Sequence, residues 1–134
     1  MMIDTATGKA KRLCVSLLLL FALAACSSFG GLRDENRANI MKIENGMSRA
    51  QVVGLMGDKT ASGLGDSISN PFKREIFVDR LGVEYEILYY YTDRIEGKTW
   101  QAGTTPVVLR EGRVAGTGWN FVEKSGLRGT ARRG

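Results

Sequence analysis

Apolar and polar positions recur along this chain with changing periods, and each period predicts an element. Leu13 to Ala25 is an apolar run broken only by Cys14 and Ser16, and it follows Lys9, Lys11 and Arg12. A basic flank, a short apolar core and small residues make the layout of a signal peptide. A membrane-spanning helix needs roughly 20 apolar residues, which this run lacks. Residues 1–25 are therefore read as a targeting segment outside the fold, and the small, glycine-containing stretch 26–32 as a flexible tether. From Arg33 polar residues give way to Ile40, Met41 and Ile43, which predicts a helix ended by Asn45 and Gly46. Ser48 with Gln51 has the capping-box spacing, and Met47 with Val52 forms the hydrophobic staple. Val52, Leu55 and Met56 then share one side and Gly57 supplies a stop, giving a helix from Ser48 to Met56. That helix is too short to stand alone, so its apolar side must pack.

Downstream the period becomes two. Residues 62–71, with Gly63, Gly65, Asp66 and Asn70, read as a loop. Phe72 to Val78 is a strand candidate, turning through residues 79–82 into a stronger strand over Val83 to Thr92. There Val83, Tyr85, Ile87, Tyr89 and Tyr91 alternate with Glu84, Glu86, Leu88, Tyr90 and Thr92. A polar loop over 93–105 follows. Pro106 to Arg110 and Arg113 to Val122 then pair across Glu111-Gly112, with Gly116 and Gly118 marking a bulge or a close backbone approach. Residues 124–134 are rich in Gly and Arg and read as a disordered basic tail. The pattern predicts an α+β domain over 33–123. Two short N-terminal helices pack on one face of a three- to four-stranded antiparallel meander, whose other face is partly solvated.

Charge and composition narrow the chemistry. Without residues 1–25 the chain keeps 16 basic and 13 acidic residues, and Arg128, Arg132 and Arg133 carry the whole excess. A neutral body with a basic tail gives no nucleic-acid surface. The chain has no histidine, which removes the commonest general base and most ordinary zinc or copper sites. Asp58, Asp66, Asp79 and Asp93 lie at apparent element ends, where solvated turn residues are expected rather than a catalytic pair. No catalytic residue, cofactor or metal ligand is assigned, and the expectation is a non-enzyme.

Leu23-Ala24-Ala25-Cys26 resembles the lipobox of bacterial lipoprotein precursors. The resemblance implies lipid on the Cys26 thiol and cleavage just before it, although Ala22-Leu23-Ala24 also fits ordinary cleavage after Ala24. Ser27 after the cysteine, in place of aspartate, implies the outer membrane, facing the periplasm. Cys14 leaves with the leader, so the mature chain has one thiol and no disulfide.

Residues Gly46-Met47-Ser48, Gln51-Val52, Leu55 and Gly57, with Asn70-Pro71-Phe72 further on, resemble the signature of the SmpA/OmlA (BamE-like) lipoproteins. The hairpin over 104–118 is closer to a related uncharacterised proteobacterial lipoprotein group. The resemblance covers roughly residues 38–122 and implies a helix–helix–meander fold shared with β-lactamase inhibitor protein repeats. It also implies a protein-binding accessory in outer-membrane assembly or envelope integrity, with the β-barrel assembly machine as a candidate partner. The alternative is an inhibitor or modulator of a periplasmic hydrolase. Folding alone explains the capping box and staple. The candidate partner contacts are Leu88 and Tyr90, assigned to the sheet face away from the helices, and Trp100 in the polar loop.

Overall fold

A computed structural model describes residues 28–127, apart from 64, 95, 96 and 98. The expected leader, Cys26 and the residues beyond 127 lie outside the described residues. Helix α1 spans Phe29–Ile40 and α2 spans Arg49–Met56. A short hairpin pairs β1 (Thr60–Gly63) with β2 (Asp66–Ser69). Strands β3 (Lys73–Val78), β4 (Glu84–Tyr91), β5 (Thr104–Arg110) and β6 (Arg113–Thr117) form an antiparallel sheet in that order. A 3-10 turn over Trp100–Gly103 precedes β5, and helix α3 (Trp119–Lys124) follows β6. The protein is thus α+β, with two antiparallel sheets.

Helix α2 begins as its sequence dictates. The Ser48 hydroxyl accepts from the Gln51 N–H at 3.2 Å, and the Gln51 side chain accepts from the Ser48 N–H at 2.8 Å. Gly57 closes the helix at a φ of 73°. The residues before α2 do a second job. The Gly46 N–H donates to the Val114 carbonyl at 2.8 Å, and the Val114 N–H donates to the Met47 carbonyl at 2.9 Å. The chain at Gly46-Met47-Ser48 therefore lies along β6 and covers that edge of the sheet.

Helix α1 differs from its predicted bounds. It starts at Phe29, capped by the Ser28 hydroxyl, and ends at Ile40, so residues 29–32 are helix rather than tether. The Ser28 hydroxyl accepts from the Gly31 N–H at 3.1 Å, which satisfies one orphan donor of the first turn. Two buried amides tie this helix to the sheet. Asn36 and Asn70 exchange hydrogen bonds at 2.8 and 2.7 Å. Asn36 also donates to the Tyr91 carbonyl, and Asn70 to the Met56 carbonyl. One pair thereby joins α1, the end of α2, the β2–β3 junction and β4.

Both faces of the sheet are covered. On one, Val52 and Met56 of α2 pack on Leu88, Tyr90, Val107, Leu109 and Val114. On the other, Ile87, Tyr89 and Val108 pack under Val122 and Leu127, ringed by Trp100, Trp119 and Phe121. The second face was expected to be partly solvated, with a strand running to Val122. Instead β6 ends at Thr117, Gly118 turns at a φ of 87°, and α3 folds back across the sheet. Leu127 is buried, so order continues past Lys124, where the disordered tail was expected to start. The expected loop over 62–71 holds the β1–β2 hairpin. The glycine expectation in β6 does hold. Val108 faces Gly116 while Leu109 faces Val114, leaving Ala115 as the extra residue of a bulge.

Candidate interaction surface

Leu88 and Tyr90 are not on a free surface. Both are fully buried beneath α2, in contact with Val52 and Met56. The helices lie on the Glu86–Leu88–Tyr90 side of β4, opposite to the side assigned from alternation. Ile87 and Tyr89 on the other side pack beneath α3. Alternation separates two faces but cannot say which one meets the helices when both are apolar.

Trp100 does lie at a surface corner, half-buried. Its ring meets Tyr89 edge-on at 4.9 Å, with Phe72 and Trp119 each 6.2 Å away. The Lys73 ammonium sits over it, 4.4 Å from the ring centre. Trp119 is fixed by its indole N–H, which donates to the Thr104 carbonyl at 2.7 Å. The corner is therefore a packed aromatic ledge topped by the Lys73 ammonium, which is itself paired with Glu75.

Strand β3 borders this corner and carries the second feature. Among the described residues the large exposed hydrophobic ones are Met41 (84%), Ile76 (50%), Val78 (60%) and Leu81 (88%), and the last three lie on β3 or the turn after it. One face of β3 is well held. Phe77 stacks on Tyr85 at 5.3 Å, Lys73 pairs with Glu75 at 2.7 Å, and the Tyr89 hydroxyl donates to Glu75 at 2.8 Å. Burial pushes the Glu75 carboxyl up, but the bonds from Lys73 and Tyr89 outweigh it and hold the group below its ordinary value. Burial, then the Glu75 bond and charge, drive the Tyr89 phenol upward.

The opposite face of β3 overhangs the helix layer. No β3 residue joins the core beneath α2. Glu86, opposite Ile76, is nearly buried and binds two guanidinium groups. Arg49 of α2 reaches both its oxygens at 2.9 and 3.0 Å, and Arg74 reaches one at 2.7 Å. These ion pairs form the boundary of the helix-covered core, and Ile76 and Val78 lie beyond it.

Among the described residues no group of His, Cys, Asp and Glu is placed to hold a metal ion, and no helix is long and apolar enough to cross a membrane. The chain matches no protein-family model, no curated protein and no solved structure. The sequence signalled Trp100 but not Ile76 or Val78. Its one available clue was that Phe72–Val78 comes first in the meander, and a first strand commonly ends at a sheet edge.

Proposed function

We propose that this chain is a non-enzymatic outer-membrane lipoprotein of the SmpA/OmlA (BamE-like) kind. It is held by lipid on Cys26 and serves as a protein-binding accessory in outer-membrane assembly or envelope integrity. The observation that carries the reading is the placement of Leu23-Ala24-Ala25-Cys26 at the end of a short apolar run behind basic residues. Ser28 caps α1 only two residues after Cys26, so an anchor there holds the domain close to the bilayer. The corner of Phe72, Lys73 and Trp100 is the contact surface for an envelope partner in this reading, because a packed tryptophan at a protein surface is a strong anchor for binding.

Cys26→Ser is expected to abolish fatty-acid labelling of the protein, since a hydroxyl is a far weaker nucleophile than a thiolate. The precursor then accumulates, or is cut after Ala24 and released from membranes. Label retained in Cys26→Ser refutes the anchor. Trp100→Ala is expected to lower co-purification with an outer-membrane complex by about tenfold or more. Its melting temperature is measured alongside, because Trp100 also packs on Tyr89. Deletion of the gene should admit large antibiotics that an intact outer membrane excludes. Normal permeability, together with inhibition of a lytic hydrolase by the purified protein, replaces this reading with the inhibitor one.

A further inference from the structure

The two edges of the four-stranded sheet are unlike. The chain at Gly46–Ser48 bonds along β6, whereas among the described residues no backbone bond reaches β3 from outside the sheet. The register fixes which groups β3 presents there. The Asp79 N–H donates to the Val83 carbonyl at 2.9 Å, and β3 pairs with β4 in the same phase through Phe77–Tyr85, Glu75–Ile87 and Lys73–Tyr89. Residues 73, 75, 77 and 79 thus turn their backbone groups toward β4. Because these groups alternate along a strand, Arg74, Ile76 and Val78 turn theirs outward. Their side chains are the ones on the uncovered face. A natural edge is usually blunted by a charge, a proline or a bulge; here the charges Lys73, Arg74 and Glu75 occupy the first half of the strand, and the outward positions of its second half carry Ile76 and Val78.

We infer that this edge is a homodimer interface: β3 pairs antiparallel with β3 of a second copy about a two-fold axis at Ile76, making one continuous eight-stranded sheet. The charges on the strand select both the occupant and the register. With Ile76 opposite the partner's Ile76, Arg74 and Val78 face each other in both directions, and all of these residues have outward backbone groups. Each such pair exchanges two hydrogen bonds, about six in all. On the other face Lys73 falls opposite the partner's Asp79, twice by symmetry. These are non-hydrogen-bonded pairs, in which side chains approach more closely. An ammonium has three donors, so Lys73 can keep Glu75 while meeting that carboxylate. Asp79 accepts the Leu81 and Val83 N–H groups on one oxygen, Oδ1. Moving the axis one residue either way sets Glu75 against the partner's Glu75 or against its Asp79, which repel. Lys73 and Arg74 open the strand, and Asp79, followed by Arg80, lies just past its end. In this register the strand therefore meets its own reverse with Lys73 and Asp79 as unlike partners, as an isologous contact allows. The axis is perpendicular to the sheet, so both α1 helices lie on the same side. On the lipoprotein reading, both anchors can then enter one bilayer, and confinement there raises the effective concentration of a small interface.

The test uses full-length protein in cell envelopes and a short bismaleimide. Ile76→Cys brings two thiols to the axis. Leu81→Cys is more exposed, yet in this register lies on the order of 30 Å from its counterpart. The expected result is a crosslinked dimer at Ile76→Cys at least about tenfold more abundant than at Leu81→Cys, a ratio that chance collision does not give. The chain without an added cysteine sets the background, and a dimer band there reports an unlipidated Cys26 rather than a failed interface. In sedimentation of detergent-extracted protein, wild type runs as a dimer. Ile76→Lys, which sets two ammonium groups against each other at an exposed position, runs as a monomer with an unchanged melt. Equal crosslinking at the two sites, crosslinking of residue 76 to a different protein, or a monomeric wild type overturns the proposal.

Discussion

Tyr90→Ala is expected to destabilise the domain by about 3–5 kcal/mol, enough to leave a large part of it unfolded near body temperature. The side chain is fully buried between α2 and the sheet, so its truncation leaves a cavity in the core. Tyr90→Phe has the opposite sign. The hydroxyl is buried with no hydrogen-bond partner among the described residues, so removing it spares a desolvation cost of about 1 kcal/mol or more. For a domain of this size that is a rise in Tm of about 4–8 °C. The pair also predicts a pH effect. Burial above all pushes the Tyr90 phenol from 10.0 up to about 12, with Glu86 adding to the rise and Arg49 opposing it. Between those values the unfolded chain has lost the proton and the folded chain keeps it. The stability tied to this proton is therefore complete below pH 10 and lost as pH climbs toward 12. Chemical unfolding across that window should show a steeper alkaline decline in wild type than in Tyr90→Phe. If Tyr90→Ala melts like wild type but fails to bind a partner, the burial described here is wrong.

Gly116→Ala is the second large effect. A Cβ at Gly116 would lie 2.3 Å from Phe121 Cδ2 and within 2.6 Å of two more ring atoms, so the ring rests directly on the strand backbone. The clash is steric and should cost about 1–3 kcal/mol. It acts where α3 leans on the sheet, so the helix should lift before the rest unfolds. Limited proteolysis at Lys124 should accelerate, and Trp119 emission should shift toward that of solvated indole. Combining Gly116→Ala with Phe121→Ala should cost less than the sum of the two single changes, because each removes part of the other's conflict. Strict additivity would show that the ring does not rest on the glycine.

The part of this architecture carried by short-range chemistry was readable from the residues. Ser48 and Gln51 cap α2 reciprocally as their spacing required, and the two-residue connection at Glu111-Gly112 joins β5 to β6. What the sequence hid depends on distant partners. Asn36 and Asn70 look like ordinary polar residues of a helix and a loop, and only the fold brings their amides together. α3 was read as strand because Phe121 and Val122 extend an apolar pattern, while the turn at Gly118 breaks it. With that helix unseen, the sheet seemed to need a wet face, and Leu88 and Tyr90 were assigned to it. The half-buried position of Trp100 was legible because a tryptophan in a polar stretch is conspicuous without any knowledge of topology. Ile76 and Val78 sit in a strand whose neighbours on either side could not be told from its own letters.

The unequal sides of the sheet also set a limit on growth. A sheet open at both margins can recruit copy after copy into a fibril, each addition exposing a fresh template. Here the far margin, along β6, is sealed by the chain's own Gly46–Ser48 segment, and that seal is continuous with the cap of α2. Opening it means undoing the start of that helix. A molecule that docks through β3 therefore offers no second template along the sheet, and the association terminates at two. A chain terminator built into the fold protects against the runaway aggregation that an open strand edge would otherwise invite.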